Sequence, residues 1–476
     1  MSSEIMKAEK WNPVRCTLRR SLGLFGCHQF RETALASKSF VQRLELSCKL
    51  KFHDGCVNSL NFNDEGDLIA SGSDDCNVAV WNWLQNTKSP QIWYDSGHNS
   101  NVFQAKFMPN SNNTTVVSCA RDGQVRVAFL SHASQCQQTK RVAQHRGSAH
   151  KLSIEPGSPH MLLTCGEDAV VFSIDLRDPK PNKLFCLHNS KHRKVPLYSI
   201  FLNPTNLNEF AVGGRDQFAR VFDRRRVLEE KENGILKTFC PDHLKEQSAW
   251  HANITCLVYN YNGTEILASY NDEDIYLFDS TMSDGANYIH RYKGHRNSAT
   301  VKGVNFFGPK SEFIVSGSDC GHVFLWDKST QDIVQFLEGD EAGVVNVLEP
   351  HPTSCILATS GLDHDVKVWA PTGKATDLDG LGKQVKENDD ERHSEATRSA
   401  SPFDERLLFM MFRRFRRRQI RAHERRQARE RLDGEEAQSE SSEDDDDDDD
   451  DEDEDDLSES DTDSEEEPAT VQCAPS

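Results

Sequence analysis

The chain lacks the marks of several protein classes. It has no run of about eighteen apolar residues, so no membrane-spanning helix is expected. Its first residues hold no apolar stretch of the kind that heads a secretory signal. Fourteen Cys are scattered, mostly in strand-like runs (Cys119, Cys165, Cys256, Cys355), and none forms a Cys-x-x-Cys pair. A zinc site is therefore not expected, and the cysteines read as free thiols of a reducing compartment. The Asn-x-Ser/Thr triplets at Asn113, Asn253 and Asn262 then read as chance matches. There is no Gly-rich phosphate loop, no metal-ligand cluster and no nucleophile elbow. These absences leave no enzyme signature, no cofactor and no metal to expect.

What is present begins with charge. The formal net charge is −21, but residues Glu435–Glu467 hold 23 acids and no base, which leaves +2 for the remainder. The acidity is therefore a tail, and like charges as dense as the eight consecutive Asp at Asp444–Asp451 predict disorder. Ser442, Ser458, Ser460, Thr462 and Ser464 lie next to those acids, the context that acidophilic kinases favour. Ten Arg fall between Arg413 and Arg431. Residues 401–432 read as an Arg-rich helix opened by Ser401-Pro402, with Leu408, Met411, Phe412 and Phe415 as a short apolar stripe. Residues 372–400 are polar and read as a linker, and 433–476 as the tail. The tail is expected to compete with acidic partners for the basic parts of the chain, or else to act as a passive solubiliser.

The body repeats itself seven times. Each unit ends in a β-rich run closed by an aromatic or apolar residue, at Trp81, Ala128, Ile174, Phe222, Phe278, Trp326 and Trp369. The steps are 47, 46, 48, 56, 48 and 43 residues. Six residues before the closing position stands an acid: Asp75, Asp122, Asp168, Asp216, Asp272 and Asp363; the sixth unit has Cys320 there and Asp319 one residue earlier. A period near 45 with four short strands per unit resembles the WD-repeat family, which implies a seven-bladed all-β propeller over residues 44–371. In that family the acid is a structural group fed by a His at the start of the unit and a Ser or Thr on the second strand. Candidate His residues are His53, His98, His145, His251 and His295, with His192 possible for the fourth unit and Gly339-Asp340 standing in the seventh. Alternating Leu44, Leu46 and Leu50 read as an outer strand that completes the last blade and closes the ring. Residues 1–43 read as a basic extension with a short helix or two, and Val227–Lys237 as a charged, helical insertion.

Two adjacent units end in Asp-x-Arg: Ile174-Asp175-Leu176-Arg177 and Phe222-Asp223-Arg224-Arg225. The segment after a third strand lies on the bottom face, so neighbouring units set Arg177 and Arg225 on one rim. There they can engage a partner's carboxylates or carbonyls, or pair only with their own blade's acid. The double box resembles that of substrate receptors for cullin-4 ubiquitin ligases, the proteins named for association with damage-specific DNA-binding protein 1 and cullin-4. The likeness extends to strings such as Ser100-Asn101-Val102-Phe103-Gln104-Ala105-Lys106-Phe107, Gly213-Gly214-Arg215-Asp216-Gln217-Phe218 and Ser360-Gly361-Leu362-Asp363-His364-Asp365. It spans roughly residues 38–375 and returns at Val471-Gln472-Cys473. The resemblance implies a non-catalytic adaptor in the nucleus and cytoplasm. Its bottom rim would dock on damage-specific DNA-binding protein 1, the linker to cullin-4 and a ring-finger subunit, through Asp175, Arg177, Asp223 and Arg225. Its top would hold unknown protein substrates. It also implies a long polar leader, of which little precedes residue 44 here.

The top face carries bases in three loops: Lys140/Arg141 with Arg146, His150 and Lys151; Lys191-His192-Arg193-Lys194; and His295-Arg296. If they converge, the mouth favours acidic ligands; otherwise they are a solvated surface. A rival reading is a nuclear scaffold for histones or nucleic acid, using the Arg run and the Asp tail. Only Phe412 and Phe415 interleave that run, and it reads equally as a nuclear localisation signal or as an internal partner for the tail.

Overall fold

A computed structural model describes residues 11–398, apart from 86–88, 132–134, 230–233, 247–251, 342, 376–377 and 379. The expected Arg-rich helix, acidic tail and phosphorylation sites lie outside the described residues. Seven antiparallel four-stranded sheets are present. The inner strands of blades 1 to 7 are Val57–Phe62, Val102–Phe107, Ala149–Ile154, Leu197–Leu202, Ile254–Tyr259, Val304–Phe307 and Val345–Pro350. The outer strand of blade 7 is Glu45–Lys51, paired from Glu45↔Ala370 to Lys51↔Asp365. The expected closure thus holds, and the first strand of the ring covers the edge of the last.

The sheets do not share ladders, so side chains join them. Ser59 Oγ accepts from Ala105 N at 2.7 Å, Gln104 Oε1 from Leu152 N at 2.7 Å, Ser153 Oγ from Leu202 N at 2.8 Å and Ser199 Oγ from Leu257 N at 3.0 Å. Each short polar residue on an inner strand satisfies a backbone donor of the next blade that no strand could reach. Apolar residues from facing sheets fill the spaces between blades, as Val80, Val102, Ala105 and Ala128 do between blades 1 and 2.

Antiparallel order fixes two ends of the ring. Turns joining inner to second and third to outer strands lie at the lower end. Turns joining second to third, and the crossings to the next blade, lie at the upper end. Six inner strands carry a bulge just below the upper end, between Val57/Ser59, Val102/Gln104, Ala149/Lys151, Leu197/Ser199, Ile254/Cys256 and Val345/Val347. The extra residue is Asn58, Phe103, His150, Tyr198, Thr255 or Asn346. A bulge re-aims that side chain away from the ladder.

Helices flank the ring. α1 (Pro13–Ser21), α2 (Cys27–Leu35) and α3 (Lys38–Val41) precede it. Asn12 caps α1 by accepting from Arg15 N at 2.9 Å, and Pro13 opens it. Trp11 packs edge-on against Phe30 and Phe40, at 5.3 and 5.7 Å between ring centres. Val41 and Leu44 join the core shared by blades 6 and 7. In the insertion after blade 4's third strand, α4 covers only Arg224–Glu229; the residues after it form the outer strand Ile235–Phe239, and α5 (Asp242–Glu246) follows.

The expected linker is not one. Leu381–Arg398 forms α6, and the compact unit that contains the propeller ends at Arg392. Leu381, Val385, Asn388 and Arg392 recur on one face. The first two pack with Tyr292, Phe324 and Trp326 of blades 5 and 6. Asn388, 1% exposed, donates to Gly294 O at 2.8 Å. Arg392 donates to Asp274 Oδ1 at 2.8 Å and His295 O at 2.6 Å, and Glu391 pairs with Arg296. Two of the four anchors are polar, which is why the segment's polarity concealed its docking.

Candidate docking surfaces

The upper-edge acids divide into two kinds. In blades 1 to 3 His53, His98 and His145 reach Asp75, Asp122 and Asp168 at 2.9, 3.2 and 3.0 Å. Their other ring nitrogens meet Ser71, Ser118 and Thr164 at 2.8, 2.9 and 3.4 Å. In blade 1 Trp81 Nε1 also donates to Ser71 Oγ at 2.9 Å. Burial alone would raise the three carboxyls, but the His contacts and backbone N–H donors hold them below the ordinary Asp value. Each of these acids is thus tied into its own blade by a His and by backbone donors.

Blades 4 to 7 depart from the expectation. Among the described residues Asp216 meets no His; Arg220 grips it at 3.0 and 2.6 Å. His192 lies exposed in a loop, and His251 lies outside the described residues. Asp272 is exposed with φ of 56°, and the buried acid is Asp274, held by Arg291 at 2.6 Å and by Arg392. The turn is re-routed so that the residue two places later enters the blade. In blade 6 Lys302 pairs with Asp319, both buried. His295 is buried and among the described residues neither ring nitrogen has a partner; burial together with the Arg392 charge pushes its pKa down to about 3. In blade 7 Lys367 Nζ lies 2.6 Å from Asp363, whose N–H donates to Asp340.

The expected top-face bases do not all converge. Lys140 and Arg141 sit on the outer strand of blade 2, Gln135–Gln144. Arg296 is covered by α6. His150 pairs with Glu167 at 3.0 Å, stacks on Phe103 at 5.0 Å and 7°, and meets Tyr198 edge-on at 5.0 Å. Lys151, half-buried, follows His150 on the inner strand of blade 3. Arg146, Lys191, Arg193 and Lys194 are exposed at the upper end. Phe103 and Tyr198 were missed as site residues. The signal was available: Phe103 and His150 each fall five residues after their blade's His, the place of the bulge.

The lower rim carries the double box. Arg177 Nε and Nη2 lie 2.9 and 2.6 Å from Asp175, whose pKa its guanidinium pulls to about 2. Arg225 Nε and Nη2 lie 3.2 and 2.9 Å from Asp223. Each Arg pairs with its own blade's acid, the plainer alternative, yet the two side chains remain 66% and 67% exposed. Arg224 reaches across to Glu155 of blade 3 at 2.7 Å, which ties the two boxes' blades together. A second feature went unread. α1 leaves Val14, Leu18 and Leu22 exposed by 78%, 58% and 63% at i, i+4 and i+8. The next helix, α2, is held through Glu32 to Lys310 at 3.2 Å, in the inner-to-second turn of blade 6 and so at the lower end.

Residues 44–82, 90–127, 286–327 and 331–370 match the WD domain, G-beta repeat family. The chain is a seven-bladed β-propeller, and four of its stretches are similar to that repeat. Among curated proteins the chain is 35% identical to human DDB1- and CUL4-associated factor 6 over 277 residues, 55% of this chain and 31% of that protein. The mouse protein of the same name is also 35% identical. Mouse WD and tetratricopeptide repeats protein 1 is 22% identical across 85% of this chain and 96% of its own length. The match thus spans about a third of the length of the first two relatives. Among the described residues no helix is long and apolar enough to cross a membrane, and no group of three or more His, Cys, Asp or Glu could hold a metal.

Proposed function

We propose that the protein is a non-catalytic substrate-recognition adaptor of a cullin-4 ring-finger ubiquitin ligase, docked on damage-specific DNA-binding protein 1 through its lower rim and working in nucleus and cytoplasm. The observation that carries this is the matched pair of Asp-x-Arg boxes on blades 3 and 4. Their geometry is the same, and both guanidinium groups are pre-oriented by their own Asp and largely exposed. An Arg so fixed loses little further freedom on binding. The helix after α1, α2, is held at the same lower end under blade 6, so the exposed stripe of α1 adds apolar area to charged anchors on blades 3 and 4, the two ingredients of an interface. The 35% identity to a protein named for DDB1 and CUL4 association supports the same reading. Within that group, we read the strings quoted above as resembling the eighth numbered member.

The test is Arg177→Ala with Arg225→Ala. Linker-protein binding should weaken by about 2–4 kcal/mol, enough to abolish co-precipitation. Melting temperature should stay at the wild-type value, because both side chains are exposed. Co-precipitation of the folded double variant at the wild-type level would refute the reading.

A further inference from the structure

We propose that the upper rim of blades 3 and 4 holds an extended, acidic segment of a partner protein, the substrate class of the adaptor reading on which this rests.

The crossing from blade 3 to blade 4 is a built finger rather than a slack loop. His188 bridges Lys194, and Asn189 N donates to Arg193 O at 2.9 Å. Asn189 Oδ1 accepts from both Lys191 N and Arg193 N, at 2.9 and 3.0 Å. His192 takes a φ of 56° at the tip. Lys191, Arg193 and Lys194 are exposed on this frame, and among the described residues none meets a carboxylate. The finger's base touches both neighbouring turns. Leu187 N donates to Ala169 O, beside Asp168, which accepts from Arg146 N; Arg215 N donates to Pro196 O. Arg146 and Arg215 therefore flank the finger, and both are exposed.

The acids of this sector are already engaged. Glu167 serves His150 and Ser148, Asp168 serves His145, and Asp216 serves Arg220. Five exposed cations face solvent while Glu167, Asp168 and Asp216 are engaged by other partners. Next to them lies the shelf of bulge residues Phe103, His150 and Tyr198, which offers ring faces and edges between charges.

The upper rims of blades 5, 6, 7 and 1 are unsuited to the same ligand. α6 lies over Gly294, His295 and Asp274 of blades 5 and 6. Blades 7 and 1 present Asp340, Glu341, Asp363, Asp54 and Asp74. An acidic chain is steered to blades 3 and 4 and repelled elsewhere.

Fluorescence anisotropy of a labelled poly-glutamate peptide on the full chain tests this. Reversing the finger (Lys191→Glu, Arg193→Glu, Lys194→Glu) should lower affinity about tenfold or more and flatten its salt dependence. Lys140→Glu with Arg141→Glu, on the outer strand of blade 2, should change it less than about twofold. A milder finger variant, Lys191→Gln with Arg193→Gln and Lys194→Gln, should fall between, with an unchanged circular dichroism spectrum. Equal losses from the finger and the outer-strand reversal, or no binding by the wild type, would overturn the proposal. So would a single-stranded oligonucleotide that binds more tightly than the peptide and depends on the finger. Linker co-precipitation run in parallel separates the two proposals. The finger variant should keep the linker protein, and Arg177→Ala with Arg225→Ala should keep the peptide.

Discussion

Blades 1 to 3 and blades 4 to 7 meet one requirement in two ways. Each second-to-third turn buries or half-buries a carboxylate, and an ionised carboxylate in that position needs donors. The first three blades supply a His from the preceding crossing, backed by Ser or Thr. The last four supply formal cations: Arg220 and Lys367 from the third strand four residues after the acid, Arg291 with Arg392 from an outer strand and α6, and Lys302 from a crossing. The His solution is local and repeatable, so it survives as a motif. The cation solution is geometrically free, because a long side chain can arrive from the same strand, a neighbouring loop or a helix beyond the ring. The unevenness of the repeat thus follows from how far the compensating charge can reach.

The sharpest way to break the comparison is to remove one cation. Lys302→Met should leave buried Asp319 with only the backbone donors of Ser298 and Ala299 and the more distant Arg296 at 3.9 Å, at a cost of about 3 kcal/mol, read by denaturant unfolding. Equal stability of variant and wild type would mean that Asp319 is neutral or solvated. The histidines should behave oppositely in the two halves. His53→Ala should cost about 2–3 kcal/mol, because it strands Asp75 and Ser71. His295→Phe should be neutral or mildly stabilising, because neither ring nitrogen has a partner to lose. Similar losses from both would show that His295 is paired in solution. The smallest effect concerns blade 7. Burial and the Asp363 carboxylate raise the Asp340 pKa from 3.8 to about 6. A raised acid stabilises the fold while protonated, below its unfolded value, and that contribution is lost as pH rises through 6. Asp340→Asn should therefore gain about 1–2 kcal/mol at neutral pH, part of the shift being offset by the lowered Asp363, and nothing at pH 4. Parallel stability profiles from pH 4 to 8 would refute it.

Much of this was legible from residues alone. The spacing of closing residues revealed seven blades, because four strands and their turns consume a nearly constant length. Leu44, Leu46 and Leu50 disclosed the closing strand through plain alternation. His53, His98 and His145 stood where the motif requires them. Counting failed at Asp272, because a turn can pass its buried place to Asp274 without changing the unit's length. Composition failed at residues 381–392, where Asn388 and Arg392 do work that apolar residues usually do. Charge counting failed at Lys140, Arg141 and Arg296, because a base on an outer strand or under a helix resembles a free one in a string. The finger at Lys191–Lys194 was visible as charge, but its rigidity depends on Asn189 and on backbone bonds that composition does not reveal.

The strand Glu45–Lys51 also sets a clock. It leaves the ribosome first among the blade strands, yet its partner Asp365–Ala370 follows roughly 320 residues later, which at about 5–20 residues per second is some 15–60 s of synthesis. Throughout that interval the strand has no ladder to join, and the nascent ring keeps an open edge. Loop closure over so long a separation is costly, which makes pairing of this strand one of the least local contacts in the fold. A stall or premature termination between Glu338 and Asp365 releases a chain with six finished sheets and an unpaired strand, a substrate for chaperones or for misassembly with a second such chain.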